Sequence, residues 1–124
     1  MSRLYRMMSL LDVNAALPES DWDFWKNVLF RCTDRPTDVF DDEEPGDPDT
    51  VDVYVRDGIT RFCCEMEMNL CNGYSEDEYA EDFRKAMHLL TKDAVPDFKV
   101  ALSLYYLEHD ADLEVEYDRK ELAA

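Results

Sequence analysis

Val51-Asp52-Val53-Tyr54-Val55-Arg56-Asp57-Gly58-Ile59-Thr60-Arg61-Phe62-Cys63-Cys64-Glu65-Met66-Glu67-Met68-Asn69-Leu70 is the stretch on which the fold turns. Val51, Val53 and Val55 alternate with Asp52, Tyr54 and Arg56, the period of two that marks a strand with unlike faces. Asp57-Gly58 follows, a pair that tolerates the positive φ angles of a tight hairpin turn. In the returning strand Phe62, Cys64, Met66, Met68 and Leu70 share one face. Arg61, Cys63, Glu65, Glu67 and Asn69 take the other. One face is core and the other wet, which is how antiparallel sheets are commonly built.

Downstream, Asn72-Gly73 breaks the strand and Ser75 with Glu78 forms a capping box, followed by Tyr79, Phe83, Ala86, Met87 and Leu90 at helical spacing. Glu76, Asp77 and Glu78 suit the positive end of that helix, and Arg84, Lys85, His88 and Lys92 lie toward its negative end. After Pro96, Val100, Leu102, Leu104 and Tyr106 alternate through a strand. His109-Asp110-Ala111 turns the chain, and Leu113, Val115 and Tyr117 alternate back, leaving Asp112, Glu114, Glu116 and Asp118 on the outer face.

Upstream, Leu4, Met7, Met8, Leu11 and Ala15 recur at helical spacing until Pro18, which predicts an amphipathic helix over 2–17. From Trp25 to Cys32, Val28, Phe30 and Cys32 alternate with Asn27, Leu29 and Arg31, which predicts a strand. The expected fold is therefore α+β, a five-stranded antiparallel sheet with two main helices packed on one face, in the order α-β-β-β-α-β-β. The length of 124 residues predicts a single domain spanning 1–124. The one long connection, about 34–50, holds Asp41, Asp42, Glu43, Glu44, Asp47 and Asp49 with Pro45, Gly46 and Pro48. It reads as a flexible acidic loop.

Apolar residues make up 46% of the chain and 15 residues are aromatic, too many for an acidic disordered polypeptide. The net charge of −17 is concentrated, because residues 34–82 hold seventeen acids against three bases. Such a field repels nucleic acid and anionic membrane and draws basic partners, although an acidic surface also serves solubility. No export signal or apolar span of about 20 residues is visible, so a cytoplasmic protein with reduced thiols is expected.

No catalytic constellation emerges. Cys63 and Cys64 point to opposite faces of one strand, and neither His88 nor His109 has a neighbouring ligand, so no metal or cofactor is expected. The acidic loop lacks the register of an EF-hand, interrupted as it is by Pro45 and Pro48, and leaves room only for a weak, unselective ion site. Neither Ser103 nor any cysteine lies near a histidine in sequence, and three glycines make no phosphate-binding loop. A non-enzymatic binding protein is expected. Its partner-binding residues would be the six loop acids, Asp41, Asp42, Glu43, Glu44, Asp47 and Asp49, with Glu65, Glu67, Asp112, Glu114, Glu116 and Asp118. The last six would form a negative patch if both strands lie in one sheet. Repulsion within that patch would itself suggest a basic partner. Tyr54 and Tyr105 either add aromatic anchors or simply finish the sheet.

Arg3-Leu4-Tyr5 ahead of Pro18, then Trp25, Val28 and Phe30, then Ser75-Glu76 with Tyr79, and finally Leu113-Glu114-Val115-Glu116-Tyr117 with Asp118 resemble the YezG-like family of bacterial immunity proteins. The resemblance implies a non-enzymatic inhibitor that covers the active face of a toxin, often a nuclease, and it extends to surface acids as a class. The expected function is an immunity protein (antitoxin) binding a basic toxin nuclease domain. The alternative is a phage-encoded anti-CRISPR or anti-restriction inhibitor that mimics nucleic acid before a defence protein.

Overall fold

A computed structural model describes residues 3–40, 50–70, 73–106 and 112–124, without the side chains of Arg3 and Phe40. The hairpin forms as its sequence dictates. Strands β2 (Asp52–Arg56) and β3 (Ile59–Leu70) pair antiparallel, and Arg56 faces Ile59 across the turn. Asp57 and Gly58 have φ of 54° and 78°. Positive φ at both central residues matches the turn to the right-handed twist of its strands.

Helix α2 (Glu76–Thr91) begins where Ser75 accepts the Glu78 amide, 3.2 Å away. Tyr79, Ala80, Phe83, Ala86 and Met87 are its buried face. Ser75→Ala removes this cap and is expected to cost about 1 kcal/mol in chemical denaturation, with no change in far-ultraviolet circular dichroism at low denaturant. Strands β4 (Phe98–Tyr106) and β5 (Leu113–Asp118) then pair antiparallel, and α3 (Arg119–Leu122) closes the described chain.

The first two elements exchange the types expected of them. Arg3–Val13 is not a helix but β1, and Trp22–Asp34 is not a strand but α1, so the chain opens β-α and not α-β. In β1, Tyr5, Met7, Ser9, Leu11 and Val13 are buried, with Leu4, Arg6, Met8, Leu10 and Asp12 on the other side. β1 is the middle strand of the order β2-β3-β1-β4-β5, paired on both sides. Apolar residues on both faces, Met8 and Leu10 opposite Met7 and Leu11, blur its alternation into an apparent helical stripe. In α1 the buried residues Trp25, Val28, Leu29 and Cys32 fall at i, i+3, i+4 and i+7, a helical face. The run Val28, Phe30, Cys32 only imitated a strand.

Every strand pair is antiparallel, and α1 and α2 cover the same sheet face. The fold class is α+β. Trp25 meets Phe98 edge-on, with centroids 5.4 Å apart, and so locks α1 to β4. One buried polar knot interrupts the apolar core. Ser9 Oγ lies 2.7 Å from Thr33 Oγ1, which donates to the Leu29 carbonyl, and Tyr79 Oη donates to the Thr33 carbonyl at 2.5 Å. Each hydroxyl has a partner, so burial leaves none of them unsatisfied. This knot ties β1, α1 and α2 together.

Of the expected 34–50 loop, Asp34 ends α1 and Asp38–Phe40 forms a 3-10 turn. Val39 and Val51 pack into the core. Asp41, Asp42, Glu43, Glu44, Asp47 and Asp49 lie outside the described residues, and so does the ion site considered for that loop.

Candidate functional site: the open face of the sheet

With both main helices on one side, the described residues leave the other side of the sheet without a covering element. The registers lay out that face row by row. Glu114, Ser103, Met8 and Glu65 form one row across β5, β4, β1 and β3. Glu116, Ala101, Leu10 and Cys63 form the next, extended on β2 by Asp52. Tyr105, Arg6 and Glu67 form the row on the far side of the first. The first row is acid, neutral, neutral, acid; the second has three neutral residues between its acids, so Asp52 stands one strand further out than Glu65.

The face is therefore a trough. Its floor is Met8, Leu10, Ala101 and Ser103, all partly buried, and its rails are Glu114 and Glu116 on one side and Glu65, Glu67 and Asp52 on the other, all exposed. With strands about 4.8 Å apart, β3 and β5 stand roughly 14 Å from each other. That exceeds the screening length of roughly 8 Å at physiological salt, so the two rails barely repel one another. The acids share one face without being neighbours across strands, and the repulsion that remains acts along each rail, where Glu65 and Glu67, like Glu114 and Glu116, stand roughly 7 Å apart. Glu65 is further relieved by Arg6, 3.5 Å away, whose guanidinium stacks on Tyr105 at 4.7 Å from the ring centroid.

A charge-balanced row closes the trough at its other end. Asp118, Lys99, Asp12 and Arg61 form the next row, where Arg61 grips Asp12 through two bonds of 2.8 and 2.9 Å. The Asp12 carboxylate holds the Arg61 guanidinium above its ordinary pKa, chiefly through that hydrogen bonding. Cys63, beside the floor, has its thiol pushed up by burial and then by Asp52 and Glu65, which keeps it protonated and weakly nucleophilic at neutral pH.

The six described acids named from sequence divide by role. Glu65, Glu67, Glu114 and Glu116 stand free on the rails or pair only loosely. Asp112 accepts the Tyr106 amide at 2.7 Å, and Asp118 caps α3 by accepting the Glu121 amide at 2.8 Å. Both fix the ends of β5. Tyr54 is 59% exposed on the outer strand β2, away from the floor, whereas Tyr105 borders it. Sequence reading missed the floor itself. Met8 and Leu10 were hidden by the helical reading of 2–17, and Ala101 and Ser103 carry no signal until the register sets them between two acidic columns.

A cavity of about 950 Å³ adjoins the charge-balanced end row, sharing Asp12, Lys99 and Asp118 with it, and reaches the C-terminal end of α2. Lys92, Lys99, Lys120, Arg119 and His88 line it beside Phe98. Arg119 is structural there, donating to the carbonyls of Thr91, Ala94 and Pro96 and to Asp97 at 3.0 Å. This binds the chain between α2 and β4 to α3. The cavity's lining is mixed in charge, because Asp12, Asp97 and Asp118 stand among those cations.

Among the described residues, no group of three or more His, Cys, Asp or Glu side chains is placed to hold a metal ion. Among the same residues, no helix is long and apolar enough to cross a membrane. No family model matches the chain, and no curated protein or solved structure proved similar to it.

Proposed function

We propose that this chain is a cytoplasmic immunity protein that binds a cognate toxin domain, a nuclease with a basic substrate groove, and blocks it without a catalytic step. The observation that carries this reading is the pair of carboxylate rails flanking an uncharged floor on the uncovered sheet face. An enzyme that handles polyanions concentrates cations, and a docked acidic face occupies them. The resemblance of Arg3-Leu4-Tyr5, Ser75-Glu76 and Leu113–Asp118 to the YezG-like immunity family points the same way.

A second reading is a phage-encoded anti-CRISPR or anti-restriction inhibitor. Two parallel acidic rows roughly 14 Å apart are comparable with phosphate rows flanking a major groove about 12 Å wide, which favours a nucleic-acid mimic. The neighbouring gene separates the two readings, a toxin for the first and phage genes for the second.

The test is inhibition. Added to the nuclease toxin encoded beside it, the protein is expected to abolish cleavage at near-equimolar ratio. Replacing Glu65, Glu67, Glu114 and Glu116 together by Gln is expected to weaken inhibition at least about 100-fold, while the thermal midpoint moves little because all four are exposed. Unchanged inhibition by the fourfold variant would remove the rails from the function.

A further inference from the structure

We infer that the trough receives a single amphipathic α-helix of the partner, laid along β1 and β4 with small or apolar residues on the floor and Lys or Arg on both flanks. This rests on the reading that a cationic partner docks on the open face, and it specifies the shape of what docks.

Width is the first reason. Rails roughly 14 Å apart admit one helix about 10–12 Å across with its side chains, whose basic residues then reach acids on both sides. An extended strand docks by hydrogen bonding at a sheet edge, not on a face whose backbone groups are already paired. The floor is the second. Ala101 and Ser103 on β4 are short beside Met8 and Leu10 on β1, so a lengthwise step runs between the rails against which a ridge of side chains can rest.

The ends give the third. Arg6 beside Glu67 stands at one end, and Lys99 and Arg61 alternate with Asp118 and Asp12 at the other, so both ends are charge-balanced and the unbalanced negative charge is confined to the sides. From Arg6 to Leu10 the face is four residues long, about 14 Å at 3.4 Å per residue. That matches about nine helical residues at 1.5 Å each. The partner helix is thus a short one, with two to three turns in contact.

Two synthetic peptides of identical Leu, Ala and Lys composition test the inference. In one, a helix places an apolar stripe between two lysine rows; in the other, the same residues are reordered so that no stripe forms. Calorimetric titration into the full chain is expected to show the striped peptide binding at least about tenfold tighter, with a gain of helicity by circular dichroism. The deciding variants are Ala101→Gln and Ala101→Glu, which fill the floor, the second while adding negative charge. Both are expected to weaken the striped peptide by about tenfold or more. Ser103→Gln replaces either variant that shifts the thermal midpoint.

If both peptides bind equally, or Ala101→Glu tightens binding, capture is by charge alone; the helix is then refuted and the cationic-partner reading stands. Should neither peptide bind even at low salt, both are refuted.

Discussion

Leu11→Ala is expected to destabilise the protein by about 2–5 kcal/mol, whereas Met8→Ala costs under about 1 kcal/mol. Leu11 is fully buried on the helix-covered side of β1, opposite Phe62 on one neighbour and Val100 on the other, both also fully buried. Truncation there leaves a cavity that three strands cannot collapse into without breaking register. Met8 lies three residues earlier on the open face and is only partly buried. In a helix over 2–17 both side chains would belong to one stripe and cost alike. Urea denaturation of the two variants decides the matter, and equal losses would overturn the assignment of β1 as the central strand.

Alkaline pH is expected to produce the second large effect. Burial raises the Cys32 thiol and the Tyr79 phenol far above their ordinary values, and burial with the neighbouring Asp82 raises Tyr74. The Cys64 thiol is pushed from 9.0 to about 11, first by burial and then by Cys63, with hydrogen bonds to Thr33 and Ser9 opposing. A group whose folded pKa lies above its unfolded value keeps its proton longer in the folded state. The unfolded chain therefore releases protons first, and stability falls as pH rises. The contribution is complete below about pH 9 and is lost from there through 11 and beyond. For Cys64 alone, two units at about 1.4 kcal/mol each amount to roughly 3 kcal/mol. Thermal midpoints under reducing conditions should be level from pH 7 to 8.5 and drop steeply by pH 11. Cys64→Ala should make the decline shallower. A profile that stays flat to pH 11 would mean these groups are not buried in the folded protein.

Much of the fold was legible where local chemistry and tertiary demand agree. Asp57-Gly58 has one easy conformation between two alternating runs, and the hairpin formed there. Ser75 with Glu78 is a helix start that needs no partner elsewhere, and α2 began there. β4 and β5 have their large aliphatic residues on one face only, so their period of two could not be mistaken. The exposure of Glu65, Glu67, Glu114 and Glu116 followed, because they occupy the opposite phase of β3 and β5.

β1 and α1 were misread because pattern alone does not say how many sides of an element are covered. β1, the middle strand, is paired on both edges, with a core on one face and the trough floor on the other, so Met8 and Leu10 had reason to be apolar as well. Ser9, the polar residue on its core face, is explained only by Thr33, twenty-four residues away. In α1 the helical spacing of Trp25, Val28, Leu29 and Cys32 competed with Phe30, which sits half-buried at the helix margin and completed a false alternation.

Local pattern sufficed for four of the five strands, for α2, for a hairpin at Asp57-Gly58, and for acids on the wet side of two strands. Those follow from side-chain period, turn chemistry and charge, which are properties of residues near one another in the chain. It took the packed sheet to show that β1 and β4 run between those two strands, that the acids therefore stand as separate rails, and that Met8, Leu10, Ala101 and Ser103 make the floor between them. Strand order is set by which faces bury the most surface together, a comparison among distant segments that no local pattern contains.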